Sequence, residues 1–196
     1  MAARKVKSYS GIGVAKRSLE LIELRAIQTR NFLNLPAGRV DALGAVVRAG
    51  HCYQHLEGLS VQAERLIGDH ARALVAPPRI VVEPKLVFDT NRHAELRFAI
   101  LHELAHLILH FDELVALQEK APSASRCHTE NSEWQANVMA TSIAAPIEMI
   151  VAARSAEDLA ELAGLPLERV RFRYARFEKA QQSPLPILDY IDEQAG

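Results

Sequence analysis

The sequence predicts an α+β fold that is mostly α-helical, and three observations lead to this class. Apolar residues recur at helical spacing over most of the chain. Two short runs, residues 80–82 and 86–88, have instead the β-branched and apolar character of strands. The length of 196 residues, with 49% apolar and 24% charged residues, suits one globular unit with a sizeable core.

The overall composition argues against nucleic-acid-binding, membrane and secreted classes of protein. A net charge of −1 predicts no general attraction to nucleic acid or to anionic membranes. No apolar run reaches the length of a membrane span, and the basic residues 1–17 are not followed by the apolar region of a secretory signal. Cys52 and Cys127 are too few for a disulfide framework, so a reduced, cytoplasmic setting is the expectation.

The first part of the chain is predicted to be helical after a flexible start. Residues 1–17 are basic, small and glycine-containing, and we expect them to be poorly ordered. The next helix spans residues 18–34, with apolar side chains such as Leu19 and Ile22 at near-helical spacing, and "LPAG" ends it. Residues 40–75 are interpreted as further helices, broken near Gly50 and near residues 58–59.

After the two short strands, a long buried helix is predicted over residues 92–110. Asp89, Thr90 and Asn91 are residue types that cap helix N-termini. One apolar stripe has little polar surface opposite it, which is typical of a buried helix. The stripe consists of Leu96, Ile100, Leu104, Leu107 and Ile108.

A polar loop then leads to another helix, which begins near residues 131–132 and runs to Ala145, where Pro146 ends it. Small side chains along this helix would let it approach the long helix closely. They are Ala136, Ala140 and Ala144.

The C-terminal part of the chain is interpreted as two helices around "GLP" in residues 155–180, followed by a proline-containing tail. We therefore divide the chain into a flexible start at 1–17, a main domain at 18–150, a helical segment at 151–180 and a tail at 181–196.

The long helix contains "HELAH", a sequence that predicts a catalytic metal site. His102 and His106 are four residues apart, so both imidazoles lie on one helix face and can share one metal ion. Zinc suits such ligands. Glu103 can reach a water in the open coordination position, take its proton and pass it to a leaving amine. A buried polar trio without such a partner would be costly.

A catalytic zinc site needs a third protein ligand. A third histidine in the pattern HExxHxxGxxH is excluded, because Leu109 and Asp112 occupy the corresponding positions. Glu133, 27 residues after His106, is the candidate carboxylate on the following helix. Asn137 lies one turn further on the same face, where it would accept the second ring N–H of a ligand histidine without touching the metal.

These two segments, "RFAILHELAHLILH" and "EWQANVMATSIAAP", resemble the ImmA/IrrE family of bacterial zinc metallopeptidases, in which an E-x-x-A-N helix follows the HExxH helix. Residues 97–146 carry the specific part. The resemblance implies a gluzincin-like fold, a mostly helical domain with a small antiparallel β-sheet. It assigns one Zn²⁺ per chain to His102, His106 and Glu133, with Glu103 as catalytic base.

The resemblance also implies a site-specific endopeptidase of bacteria or their mobile elements, whose protein substrates are helix-turn-helix repressors that are cut to release transcription. We expect the substrate backbone to add a strand along the sheet edge at residues 80–88. The chain departs from many members at Gln135, where they have glutamate, and in its bulky Trp134; neither position is a ligand.

Several other residues are weaker candidates for the site. His110 is expected to have a structural role, or to contact one of the metal ligands, at a helix end where a partial positive charge is favoured. Cys127 and His128 lie in the loop before Glu133, so the thiolate could reach the metal, although a loop cysteine without a role is the simpler interpretation. Tyr174, His128 and Arg97 each remain open as the donor to the transition-state oxyanion.

Residues 155–180 support an alternative of another class, a DNA-binding or partner-binding regulator with a structural zinc site. Ala160, Gly164 and Val170 fall at the spacing of a helix-turn-helix. The second helix carries four arginines that could meet phosphates or guanine edges. They are Arg169, Arg171, Arg173 and Arg176. Nearby acidic residues nearly balance this charge, so direct DNA binding is the less favoured interpretation.

Overall fold

The protein is described by a computed structural model in which residues 12–66, 70–117 and 127–181 are placed. Within these ranges the chain is mostly helical and contains one three-stranded sheet. The helices are α1 Leu19–Phe32, α2 Ala42–Cys52, α3 Pro84–Phe88, α4 His93–Leu109, α5 Phe111–Leu117, α6 Ser132–Ala144, α7 Ile147–Ala152, α8 Ala156–Ala163 and α9 Leu167–Gln181. The strands are β1 Ser60–Ala63, β2 Ala71–Val75 and β3 Pro78–Val82.

The core is built on the pair α4–α6, with α1 packed on α6 and the sheet packed on α4. The three small residues predicted to allow close approach, Ala136, Ala140 and Ala144, are each 0% exposed, which confirms the expectation. Helix α6 begins where predicted, because the Asn131 side chain accepts a hydrogen bond from the Trp134 N–H at 2.8 Å. The long helix α4 matches the predicted helix to within a residue at each end.

The sheet is mixed, in the order β1-β3-β2, so the expected antiparallel sheet is only partly present. Strand β2 pairs antiparallel with β3, whereas β1 pairs parallel with it. Because β3 is the central strand, both of its edges are occupied, and the predicted substrate strand along residues 80–88 has no edge to pair with. The free edges belong to β1 and β2.

Two local predictions in this region are wrong. Residues 86–88 belong to the short helix α3, because Pro84 at the first turn supplies the backbone angle of a helix start. Leu86 is buried and Phe88 is 80% exposed, so the apolar run is not a buried strand. Residues 60–63 and 71–75 are strands rather than helix, since pairing with β3 outweighs their helix-like local pattern.

The segment before α1 is held against the start of α6. Residue Gly13 forms an isolated antiparallel bridge with Asn131. The N–H of Val14 donates to Glu130 O at 2.9 Å, and the N–H of Arg17 donates to Thr129 O at 3.0 Å. Residues 12–17, which the sequence predicted to be poorly ordered, are therefore hydrogen-bonded to the turn that leads into α6. The predictions for residues 1–11, for most of the polar loop and for the tail from residue 182 lie outside the described residues.

The two helices predicted around "GLP" are present as α8 and α9. Ser155 caps α8 by accepting from the Asp158 N–H at 3.1 Å, and Gly164 ends it in the left-handed conformation with φ of 62°. Helix α9 packs on α8 and on α6, so this segment is attached to the helix that carries Glu133.

Candidate metal centre

The structure brings the three predicted ligands together between α4 and α6. The Nε2 atoms of His102 and His106 are 3.1 Å apart. Glu133, in the first turn of α6, places Oε2 3.2 Å from His102 Nε2 and Oε1 3.2 Å from His106 Nε2. The histidine side chains are 12% and 7% exposed and that of Glu133 is 39% exposed, so the group is reached from one side. This group could hold a metal ion.

The spacing of these atoms fits a shared cation. In a tetrahedral zinc site with bonds of about 2.0–2.1 Å, neighbouring ligand atoms lie about 3.3–3.4 Å apart. The three distances of 3.1, 3.2 and 3.2 Å approach that value, with one carboxylate oxygen of Glu133 facing each imidazole. Two neutral imidazole nitrogens that face each other share at most one proton, and a cation between them would satisfy both lone pairs. Two imidazoles and one carboxylate suit zinc and other divalent first-row metals.

Glu133 is held as a carboxylate in this arrangement. Partial burial acts to raise the pKa of its carboxyl, but the hydrogen bonds and charges of His102 and His106 outweigh burial and lower that pKa below its ordinary value. Glu133 therefore presents both oxygens, one towards each imidazole, at neutral pH.

Glu103 is held by the sheet rather than by the ligands. Its Oε2 accepts a hydrogen bond from the backbone N–H of Ala73 in β2 at 2.6 Å. Burial raises the pKa of the Glu103 carboxyl, against the opposing effect of His102 and His106. The Ala73 contact could not be predicted from the sequence, because β2 was interpreted as part of a helix.

The Ala73 N–H lies on the free edge of β2. Glu83 N–H donates to His70 O at 2.8 Å just before β2, and Ala73 is paired with Ile80. Because antiparallel hydrogen-bonded pairs alternate along a strand, Ala73 directs its N–H away from β3. Glu103 thus occupies one donor on the open edge beside the metal ligands.

Asn137 does not make the predicted hydrogen bond to a ligand histidine. Its Oδ1 instead accepts from Arg169 Nη1 at 3.4 Å. The Nδ1 atoms of His102 and His106 are buried and have no hydrogen-bond partner within the described ranges. The helical phase that placed Asn137 towards the site was right, because the residue lines the same cleft as His102, but its partner is different.

His110 lies behind the ligand group and is not part of it. Its side chain is 0% exposed, and Nδ1 is 3.4 Å from Arg17 Nη1. Burial, with the charges of His106 and Arg17, lowers the pKa of His110 to about 3. A positive charge on His110 is therefore disfavoured at this helix end. Arg17 takes that place, since its Nη2 donates to Leu109 O at 3.0 Å.

The two loop candidates are also outside the ligand group. His128 is exposed, and its ring packs edge-on against Trp134 with 5.0 Å between the ring centroids. The sulfur of Cys127 lies 3.1 Å from Thr129 Oγ1.

The ligand group opens into a cleft of about 510 Å³. A volume of this size is typical of a small-molecule or peptide-side-chain site. The cleft is formed by residues from the start of β2, from α3 and α4, from the first turns of α6 and from the start of α9. Its lining includes His70, Ala71, Leu86, Arg92, Glu95, Phe98, Ala99, His102, Glu103, Glu133, Asn137, Pro166, Glu168 and Arg169.

None of the three residues left open as oxyanion donors lines this cleft. The Tyr174 hydroxyl is directed to Ala153 O at 3.5 Å inside the C-terminal helices. Arg97 Nη1 donates to Gly164 O at 2.6 Å. The arginines that do line it are Arg92 and Arg169, and neither was predicted from the sequence to belong to the site.

The arginines of α9 do not form one exposed recognition face. Arg173 is largely buried and donates to Ala145 O and to Ser142 Oγ, each at 2.9 Å, and to Glu23. Arg176 pairs with the same Glu23 carboxylate at 3.0 Å. Of the four arginines, only Arg171 is exposed and forms no side-chain hydrogen bond or ion pair within the described part of the chain.

Comparison with known protein families finds no match for the chain, and no curated protein matches its sequence. Among the described residues, no helix combines the length and the apolar character needed to cross a membrane. The assignment of function therefore rests on the geometry of the site.

Proposed function

We propose that the protein is a zinc-dependent endopeptidase. The observation that carries the proposal is the three-ligand group of His102, His106 and Glu133 with Glu103 on the same helix beside it, at the wall of a cleft. Structural zinc sites close with four protein ligands, whereas catalytic sites use three and leave a position open. The open side here faces the cleft, which supports a catalytic site over a structural one.

A bound zinc ion would lower the pKa of water and polarise the scissile carbonyl. Glu103 takes a proton from the attacking water and passes it to the amine that leaves. Burial raises the pKa of the Glu103 carboxyl above its ordinary value, which favours a group that both accepts and returns a proton. The hydrogen bond from Ala73 fixes one oxygen of Glu103 and leaves the other for this transfer.

We place the substrate backbone along the free edge of β2, which is the edge next to Glu103. An extended polypeptide that adds a strand there would pass over the ligand group. This replaces the position beside residues 80–88 that the sequence suggested. The resemblance to the ImmA/IrrE family supports a helix-turn-helix repressor as the natural substrate, with cleavage relieving repression.

The alternative regulator function has less support. A DNA-recognition helix needs arginines that reach base edges or phosphates, and here Arg173 and Arg176 are committed to Glu23. A DNA mobility-shift assay at several salt concentrations tests this alternative directly.

The peptidase proposal is tested by comparing new protein N-termini in host cells that produce the wild type or Glu103→Gln. We expect at least one protein to gain a new N-terminus only with the wild type, and the same cut to occur when purified zinc-loaded protein meets that substrate. Identical N-termini in the two cell populations, with zinc bound in both proteins, would contradict the proposal.

A further inference from the structure

Arg169 lines the metal cleft and is held there by two residues one helical turn from the metal ligands. Its guanidinium carbon lies 4.4 Å from the centroid of the Phe98 ring. That ring in turn lies 5.7 Å from the imidazole of His102, centroid to centroid. On the other side, Arg169 Nη1 is 3.4 Å from Asn137 Oδ1, one turn beyond Glu133 on α6.

The contacts of Arg169 leave most of its hydrogen-bonding edge free. The contact with Phe98 is a cation–π contact, which pairs none of the guanidinium N–H donors with a hydrogen-bond acceptor. The bond to Asn137 is long and its acceptor is a neutral amide. Within the described ranges Arg169 forms no ion pair, whereas Arg92, the other arginine of the cleft, is paired with Glu95.

We propose that Arg169 is a binding site for a carboxylate of the substrate, so that the cleft selects polypeptides with an aspartate or glutamate side chain beside the cleaved bond. A guanidinium with a free edge binds a carboxylate through two parallel hydrogen bonds, a match that no neutral side chain offers. This specificity rests on the proposed peptidase function, because it assigns the ligand to a polypeptide.

The position of Arg169 supports this assignment. Phe98 precedes His102 by one turn of α4, and Asn137 follows Glu133 by one turn of α6, so the guanidinium lies beside the ligand group rather than at a remote rim. Glu168 lines the same cleft and is not ion-paired with Arg169 in the described structure. The cation is therefore available to an incoming acid.

The test uses zinc-loaded protein and two matched pairs of hydroxamates, which bind a metal through the hydroxamate group. The N-acetyl hydroxamates of aspartate and glutamate are compared by calorimetry with those of asparagine and glutamine. The two side-chain lengths sample two distances from the metal. We expect the wild type to bind at least one acidic compound about fivefold to tenfold more tightly than its amide, as for an accessible bidentate pair.

Arg169→Met should remove this preference and keep zinc, and Arg169→Lys should keep part of it. Arg171→Met, on the exposed side of the same helix, is the matched control and should keep the full preference. No preference in the wild type, or an unchanged preference in Arg169→Met, would overturn the proposal. An equal loss of affinity for acid and amide in Arg169→Met would overturn it in favour of a contact to a backbone carbonyl.

The outcomes separate this inference from the peptidase function. If the acidic preference is present and depends on Arg169 but no polypeptide is cut, the carboxylate site stands and the peptidase proposal fails. If substrates are cut without enrichment of acidic residues at the sites, the carboxylate site fails alone. Failure of all four hydroxamates to bind protein that holds one equivalent of zinc would overturn both.

Discussion

At the scale of single residues, the site contains two glutamates whose carboxyl pKa values are shifted in opposite directions by their surroundings. Glu133 stays ionised because the two histidines lower the pKa of its carboxyl, which suits a ligand. Burial raises the pKa of Glu103, which suits a group that accepts and returns a proton. The difference follows from what each carboxylate faces: imidazoles for Glu133, and one backbone N–H under the sheet edge for Glu103.

We predict that Glu103→Gln keeps the fold and the metal but loses cleavage by roughly 100-fold to 10,000-fold. The amide has nearly the same shape, and its oxygen can still accept from Ala73 N–H, but it cannot take a proton from water. Zinc content and the rate on the natural substrate are the measurements. A normal rate in a zinc-loaded variant would show that Glu103 is not the base.

Substitutions in the candidate metal group and at Asn137 should have different effects on zinc affinity. Protein purified without added metal should hold about one equivalent of zinc. Glu133→Ala removes a ligand and should lower zinc affinity strongly, whereas Asn137→Ala should leave it near that of the wild type, because Asn137 contacts Arg169 and not the imidazoles. Competition with a chelating dye measures both. A larger loss in Asn137→Ala than in Glu133→Ala would show that the third ligand is elsewhere.

His110 should make the fold sensitive to acid. Its folded pKa of about 3 is below the ordinary value of 6.5, so the unfolded chain binds more protons between these values. The stability from keeping His110 neutral is complete above pH 6.5 and is lost as the pH falls towards 3, by up to about 1.4 kcal/mol per pH unit. Urea unfolding at pH 7 and pH 5, with a chelator present, should show a smaller pH dependence for His110→Leu. An equal dependence would assign the acid sensitivity to other groups.

At the scale of secondary-structure elements, the sequence predicts the helices of the site well and its sheet poorly. Helices α4 and α6 are specified locally, by periodicity and by boundary residues such as Asn131 and Pro146. His102 and His106 follow from helical spacing on α4, and Glu133 from its place at the start of the next helix, so the three residues of the group could be predicted. Strands β1 and β2 depend on pairing with β3, which is distant in sequence for β1, and the local pattern contains no sign of it.

The same limit applies to the cleft. Arg169 and Phe98 are far apart in the chain and meet only because α9 packs on α6. No sequence spacing relates these two residues. From the sequence alone, Arg169 fits a DNA-binding helix-turn-helix as well as it fits a place in the cleft. The hydrogen bond from Ala73 to Glu103 could not be predicted for a related reason. It requires strand β2, and the local sequence pattern there predicts a helix.

The edge of β2 offers a test at this scale. Ala73→Pro removes the N–H that Glu103 accepts, but no bond of the β2–β3 ladder, because that N–H points away from β3. We expect zinc binding to persist and cleavage to fall by as much as about 100-fold, as for a displaced catalytic group. Leu74→Pro is the control, since its N–H faces β3, and it should lower the melting temperature more. Full activity of folded Ala73→Pro would show that this contact does not position Glu103.

At the scale of the whole molecule, both ends of the described chain are folded onto the α4–α6 pair. Residues 12–17 pair with the turn before α6, and Arg17 joins Leu109 at the end of α4 to Gln135 on α6. At the other end, Glu23 on α1 forms ion pairs with both Arg173 and Arg176 on α9. This arrangement brings the start of α9, with Arg169, into the cleft.

The Glu23 pair is therefore expected to affect the cleft as well as stability. Glu23→Gln removes the carboxylate that forms the ion pair with the largely buried Arg173 in the described structure, and we expect it to reduce the free energy of unfolding by about 2–3 kcal/mol. Glu20→Gln, an exposed change on the same helix, is the control and should stay close to the wild type. Because α9 is loosened, Glu23→Gln should also weaken the preference for acidic hydroxamates while zinc affinity is kept, since the ligands lie on α4 and α6. Loss of zinc in parallel with stability would show instead that α9 supports the α4–α6 pair itself.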